Sequence, residues 1–103
     1  MGKVSNPLLS MDAIMEIIRA PNFSRWLCQV KRKSSFTWRH LADYLDVSAQ
    51  CIDSYATGRS HPQIMRFHLL IQFISRETGR EYNTLLIDAY KYIKQDSLLK
   101  HGK

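Results

Sequence analysis

Residues 37–62 read TWRHLADYLDVSAQCIDSYATGRSHP. Thr37 stands where a helix N-cap belongs, and Leu41, Tyr44 and Leu45 recur at the spacing of one helical face. Ser48 offers a second cap, Ile52 and Tyr55 again share a face, and Gly58 supplies the left-handed residue that commonly ends a helix. The stretch therefore reads as two short helices, about 37–45 and 48–57, joined by a bend. Asp46 sits in that bend and tolerates positive φ better than most residues. Ala42 is small where two crossing helices must approach closely.

Helical patterning continues on both sides. Upstream, Ser10 caps a first helix over about 10–20, with Ala13, Ile14, Ile17 and Ile18 as its apolar stripe and Pro21 as its stop. Asn22 offers the cap of a second helix, whose stripe is Phe23, Trp26, Leu27 and Val30. That helix ends in Lys31, Arg32 and Lys33, cations that suit the negative end of the helix dipole. Downstream, residues 59–63 form a loop containing Pro62, and a longer helix follows with Ile64, Phe67, Ile71 and Ile74 on one side, ending at Gly79. A last helix over about 83–95 buries Leu86, Ala89, Tyr90 and Ile93. Residues 1–9 are expected to form a loose arm, and those from Asp96 a polar, frayed tail. With no strand pattern and no internal repeat, the expected fold is all-α: one domain over 1–103, a compact bundle of five to six helices.

Composition bounds the function. A chain of 103 residues with 45% hydrophobic and 23% charged residues is of globular rather than disordered type. Its formal net charge of +6 speaks of partners, nucleic acid first and an anionic membrane surface second. No segment approaches the ~20 apolar residues of a membrane span, and no signal-peptide run opens the chain, so a cytoplasmic protein is expected. Cys28 and Cys51 form no C-x-x-C pair and read as free structural thiols. The histidines, among them His40, His61 and His68, lack metal-ligand spacing, and neither a phosphate loop nor a nucleophile motif is present. Metal, cofactor and enzymatic activity are therefore not expected. The aromatic residues Trp26, Phe36, Trp38, Phe67, Phe73, Tyr82, Tyr90 and Tyr92 fall mostly at helical spacing and read as core rather than as base-stacking platforms.

The stretch 37–62 resembles the phage repressor/Cro-type (XRE-like) helix-turn-helix family. That family's pattern runs Thr-Gln-x-x-Leu-Ala, a hydrophobic-Gly-Val-Ser bend, an Ile in the second helix and a Gly-Arg/Lys-x-x-Pro exit. It passes without a gap through Thr37, Leu41-Ala42, Val47-Ser48, Ile52, Gly58-Arg59 and Pro62, about a quarter of the chain. Three positions depart from it. Trp38 stands where the family usually has Gln, Asp46 replaces the usual Gly, and Ala56 replaces a common Glu. The missing Glu would leave Lys31, near its partner position, to face phosphate.

The resemblance implies that helix 48–57 lies in the DNA major groove. Ala49, Gln50, Asp53 and Ser54 would then face the bases: Gln50 toward adenine N6 and N7, Ala49 toward a thymine methyl, Asp53 toward cytosine N4, and Ser54 toward bases or phosphate. Trp38, Arg39, Ser48, Arg59, Lys31 and Lys33 would hold phosphates, with Arg32 and Arg66 as electrostatic support and His40 and His61 at the rims. The implied activity is sequence-specific binding of double-stranded DNA by a transcriptional regulator. A repressor of phage or mobile-element type is expected, acting as a homodimer on an inverted repeat whose half-sites lie ~34 Å apart. The last helix around Leu86 and Tyr90, or the first around Ile14 and Ile18, would supply the dimer surface. The alternatives are an antitoxin or other protein-binding module, with a toxin or antirepressor as partner, and a structural or RNA-binding helical protein.

Overall fold

Capping chemistry decides where each helix starts and stops. The computed structural model describes residues 10–101, with side chains through residue 95. Among these residues it holds six helices and no strand: α1 (Met11–Arg19), α2 (Phe23–Arg32), α3 (Trp38–Leu45), α4 (Ala49–Thr57), α5 (Ile64–Thr78) and α6 (Tyr82–His101). The architecture is all-α, as the sequence predicts. The arm expected over 1–9 lies outside the described residues.

Three caps act as expected. Ser10 Oγ accepts from the Ala13 N–H, Thr37 Oγ1 from that of His40, and Ser48 Oγ from that of Cys51, each at 3.1 Å. Asn22 corrects the expectation. It stands at the N-cap of α2, but its side chain does not cap the helix. The residue is buried, and its amide donates to the Ile93 carbonyl at 3.4 Å, engaging α6 instead.

Helix α3 ends in a Schellman motif. Asp46 takes φ 58° and ψ 49°, Val47 N–H donates to the Ala42 carbonyl at 3.0 Å, and Asp46 N–H to that of Asp43 at 3.2 Å. The same motif closes α4, where Gly58 lies at φ 82° and Arg59 N–H reaches the Ser54 carbonyl at 2.9 Å. Residues 46–48 are thus the whole connection between α3 and α4.

Helix α2 stands at the centre, packed against α1, α4 and α6, while α3 bridges α4 to α5. Its Phe23, Trp26, Leu27 and Val30 are all buried, as the stripe predicts. Trp26 keeps its one polar atom satisfied by donating to Asp88 Oδ2 on α6 at 3.1 Å. Phe36, between α2 and α3, meets Phe73 of α5 edge-on at 5.2 Å. Lys94 of α6 pairs with Glu16 of α1, and His68 Nδ1 meets the Tyr82 hydroxyl at 2.7 Å.

Four further expectations change. Ile64 is exposed rather than core; it opens α5, and side chains there lean past the helix start, where no preceding turn covers them. Leu70 and Leu85, absent from the expected stripes, are fully buried. Ile18 and Leu86 lie at 2% and 3% exposure because α1 and α6 pack on each other, so neither is open to a second subunit. Helix α6 continues to His101 instead of ending near residue 95, since KQDSLLKH (94–101) contains no Gly or Pro to break it.

Two stability predictions follow from these contacts. Asp46→Val should cost about 1–2 kcal/mol, because a β-branched residue tolerates the left-handed region poorly, whereas Asp46→Gly should stay within about 1 kcal/mol of wild type. Urea melts of the two variants measure this directly. Burial raises the pKa of Tyr82, and the Glu16 hydrogen bond is the main cause that raises that of Lys94. In both cases the unfolded chain loses the proton first, so stability should be level below about pH 9 and fall as pH climbs past about 10. Tyr82→Phe should flatten part of that alkaline slope in thermal melts.

Candidate nucleic-acid interface

Helix α4 is short, and two fully buried side chains seat it. Ile52 is 0% exposed and Tyr55 4%. Burial pushes the Tyr55 phenol above its ordinary pKa, reinforced by Cys51, while the nearby Arg66 guanidinium of α5 opposes the rise. At the far end of the helix, Cys28 of α2 donates its S–H to the Ala56 carbonyl at 3.4 Å. A Cβ added at Gly58 would come within 3.3 Å of Ser24 Oγ, so α2 also closes on the turn that ends α4.

With one side of α4 held in this way, the other faces solvent. Ala49, Gln50 and Asp53 are exposed, as their spacing predicts, whereas Ser54 is half-buried. The Gln50 amide takes no partner among the described residues. Ser48, beside Ala49, accepts from the Cys51 N–H and so keeps its own O–H free to donate. No cation lies on this face itself.

Exposed cations stand on the segments that precede and follow α4 in the chain and on α2, which packs against it. Arg39 is exposed on the first turn of α3, and Arg59, His61 and Arg66 are exposed along the exit from α4 and the start of α5. Arg32 and Lys33 are exposed at the end of α2. Lys31 is half-buried, with its ammonium 5.7 Å from the centre of the Trp38 ring. Trp38 in turn packs edge-on against Phe36 at 6.4 Å. The two are therefore brought together, but Lys31 leans on the indole rather than toward Ala56. The side chains that share a cleft with Ala56 are Ser24, Arg25, Cys28, Gln29, Arg32 and Tyr92, around a volume of about 420 Å³.

One contact has no counterpart in the sequence reading. Arg59 Nη2 donates to Asp53 Oδ2 at 3.0 Å, and Arg59 Nε to Thr57 Oγ1 at 3.3 Å. Asp53 and Arg59 were expected in separate roles, yet they form an ion pair. The residues are six apart, too far for a helical i, i+4 pair. They meet because Gly58 turns the chain back over the last turn of α4. A left-handed glycine followed directly by Arg, with an Asp one turn before, is the signal that could have revealed it.

Trp26, Phe36, Phe67 and Phe73 are buried together with Phe23 and Tyr55, and Trp38, Tyr82, Tyr90 and Tyr92 are partly buried against the core, which leaves no open row of rings for stacking bases among the described residues. Among the described residues, no three His, Cys, Asp or Glu side chains gather as a metal site. No helix among them is long and apolar enough to cross a membrane. Ile52→Ala is expected to cost about 2–5 kcal/mol in urea unfolding, since it removes a fully buried aliphatic side chain that seats α4 and leaves a cavity. Compared with family models, curated proteins and solved structures, the chain matches none.

Proposed function

We propose that this protein is a sequence-specific, double-stranded DNA-binding regulator that presents α4 to the major groove. The observation that carries the proposal is the division of labour around α4. Its outer face offers short side chains, Ala49, Gln50 and Asp53, that can approach base edges, and the cations stand around that face rather than on it. Arg39, Arg66, Arg32 and Lys33 would attract phosphates, consistent with a net charge of +6. The resemblance of residues 37–62 to phage repressor/Cro-type proteins supports the same reading, and with it a repressor acting by promoter occlusion.

One protomer of this size covers too little DNA for high selectivity, so the active form is proposed to be a homodimer on an inverted repeat. Ile18 and Leu86 are in the core, and the large apolar side chains exposed among the described residues are Met11, Ile64 and Met65. The dimer contact would draw on these. A second reading, a module that binds a protein such as a toxin or antirepressor, is favoured by the same three exposed side chains. Met65 at 69% exposure is the strongest of them.

Selection of bound duplexes from a random library tests the proposal, because it yields operator, symmetry and half-site spacing together. On the selected duplex, Gln50→Ala should weaken binding by ~1–3 kcal/mol while leaving binding to scrambled duplex nearly unchanged. Arg39→Ala should weaken both and make the salt slope shallower by about 2, one contact being lost in each protomer. For about six neutralised phosphates per dimer, log affinity should fall with log salt at a slope of about −5. Enrichment of no duplex, or a Gln50→Ala protein that keeps full selectivity, would remove the basis for placing α4 in the groove.

A further inference from the structure

We infer that Arg59 reads a guanine and that Asp53 is the residue that positions it; this rests on the proposed docking of α4 in the major groove. A guanidinium that only neutralises phosphate needs charge and reach, and a mobile Lys would serve. Arg59 is instead held at three points. Its backbone N–H is bound to the Ser54 carbonyl at 2.9 Å, its Nε to Thr57 Oγ1 at 3.3 Å, and its Nη2 to Asp53 Oδ2 at 3.0 Å. Gly58, at φ 82°, makes this possible by turning the chain so that residue 59 returns beside the helix it has just left.

The geometry leaves a defined edge of the guanidinium unengaged. Of the five N–H groups, Nε–H and one on Nη2 are taken, and three remain, two on Nη1 and one on Nη2. Those on the Nη1/Nη2 edge form the planar fork that matches the O6 and N7 acceptors of guanine. The fork sits beside Asp53, at the edge of the exposed face that Asp53 shares with Ala49 and Gln50. Holding an Arg in place before binding lowers the side-chain ordering cost on docking, so the pair favours one orientation over many.

The pairing also accounts for a carboxylate on a surface that would meet DNA. An isolated Asp53 would repel phosphates and accept only from cytosine N4 or adenine N6. With Oδ2 engaged by Arg59, its charge is locally balanced, and its role passes from base acceptor to positioning residue. Both side chains are more than half exposed, 71% for Arg59 and 59% for Asp53, so the pair adds little to stability and its removal leaves the fold intact.

The experiment uses the full chain on its selected operator, with wild type, Asp53→Ala and Arg59→Lys measured side by side. One guanine in each half-site should be essential, and replacing it by 7-deazaguanine, which lacks the N7 acceptor, should weaken wild-type binding about 5- to 150-fold. Arg59→Lys should lose most of that sensitivity while keeping the wild-type salt slope, because the charge is retained. Asp53→Ala should lose discrimination at the same guanine while binding scrambled duplex as well as wild type does or better. The inference is overturned if both variants keep wild-type preference at every position, or if Asp53→Ala merely tightens binding to all sequences alike, as a phosphate-contacting Arg59 would require. A wild-type protein that selects no duplex overturns the docking of α4 itself, an outcome visible before any variant is compared.

Discussion

Everything α4 exposes depends on Ile52 and Tyr55 being held beneath it. A helix of nine residues has little intrinsic stability, and this one buries only two side chains fully. Its orientation is fixed because α2 and α3 both pack against it and because each end is closed by specific chemistry. Ser48 caps the start and a Schellman turn at Gly58 closes the finish. The Schellman turn at Asp46 sets how α3 hands the chain over. If any of these were loosened, the outer face of α4 would lose its fixed relation to the cations around it.

Those cations are held by aromatic rings and carboxylates more than their abundance suggests. Lys31 lies over Trp38, Arg76 over Tyr44 and Lys94 over Tyr90, so several positive side chains are packed along apolar surface with their charge still accessible. Arg59 is turned back onto Asp53. Of these, Lys31 and Arg59 stand on the segments that adjoin α4, and their contacts hold that charge in set positions instead of as a diffuse cloud. Such an arrangement suits a partner with regularly spaced negative charge, which is the physical ground for proposing DNA.

Much of the fold was legible because its signals are local. Ser10, Thr37 and Ser48 cap the helices they were expected to cap, and Asp46 and Gly58 occupy the left-handed region that their positions suggested. The exposed face of Ala49, Gln50 and Asp53 follows from helical period alone, once Ile52 and Tyr55 are taken as the inner face. The failures share one cause, which is dependence on a distant neighbour. Asn22 has the right identity for a cap but is buried against Ile93, seventy-one residues away. Ile64 fits the apolar period of α5 but lies exposed at its first position. Ile18 and Leu86 fit a dimer surface by their spacing, but α1 and α6 cover each other.

The sequence by itself determined the helical class, the bend at 46–48 and the two faces of α4, since caps, glycine, proline and the 3.6-residue period act within a few positions of the chain. Only the tertiary structure decided which apolar stripes meet one another, that Asn22 turns to the Ile93 carbonyl, and that α1 and α6 cover Ile18 and Leu86. Each of those outcomes depends on distances across the chain's turns, which composition and periodicity do not encode.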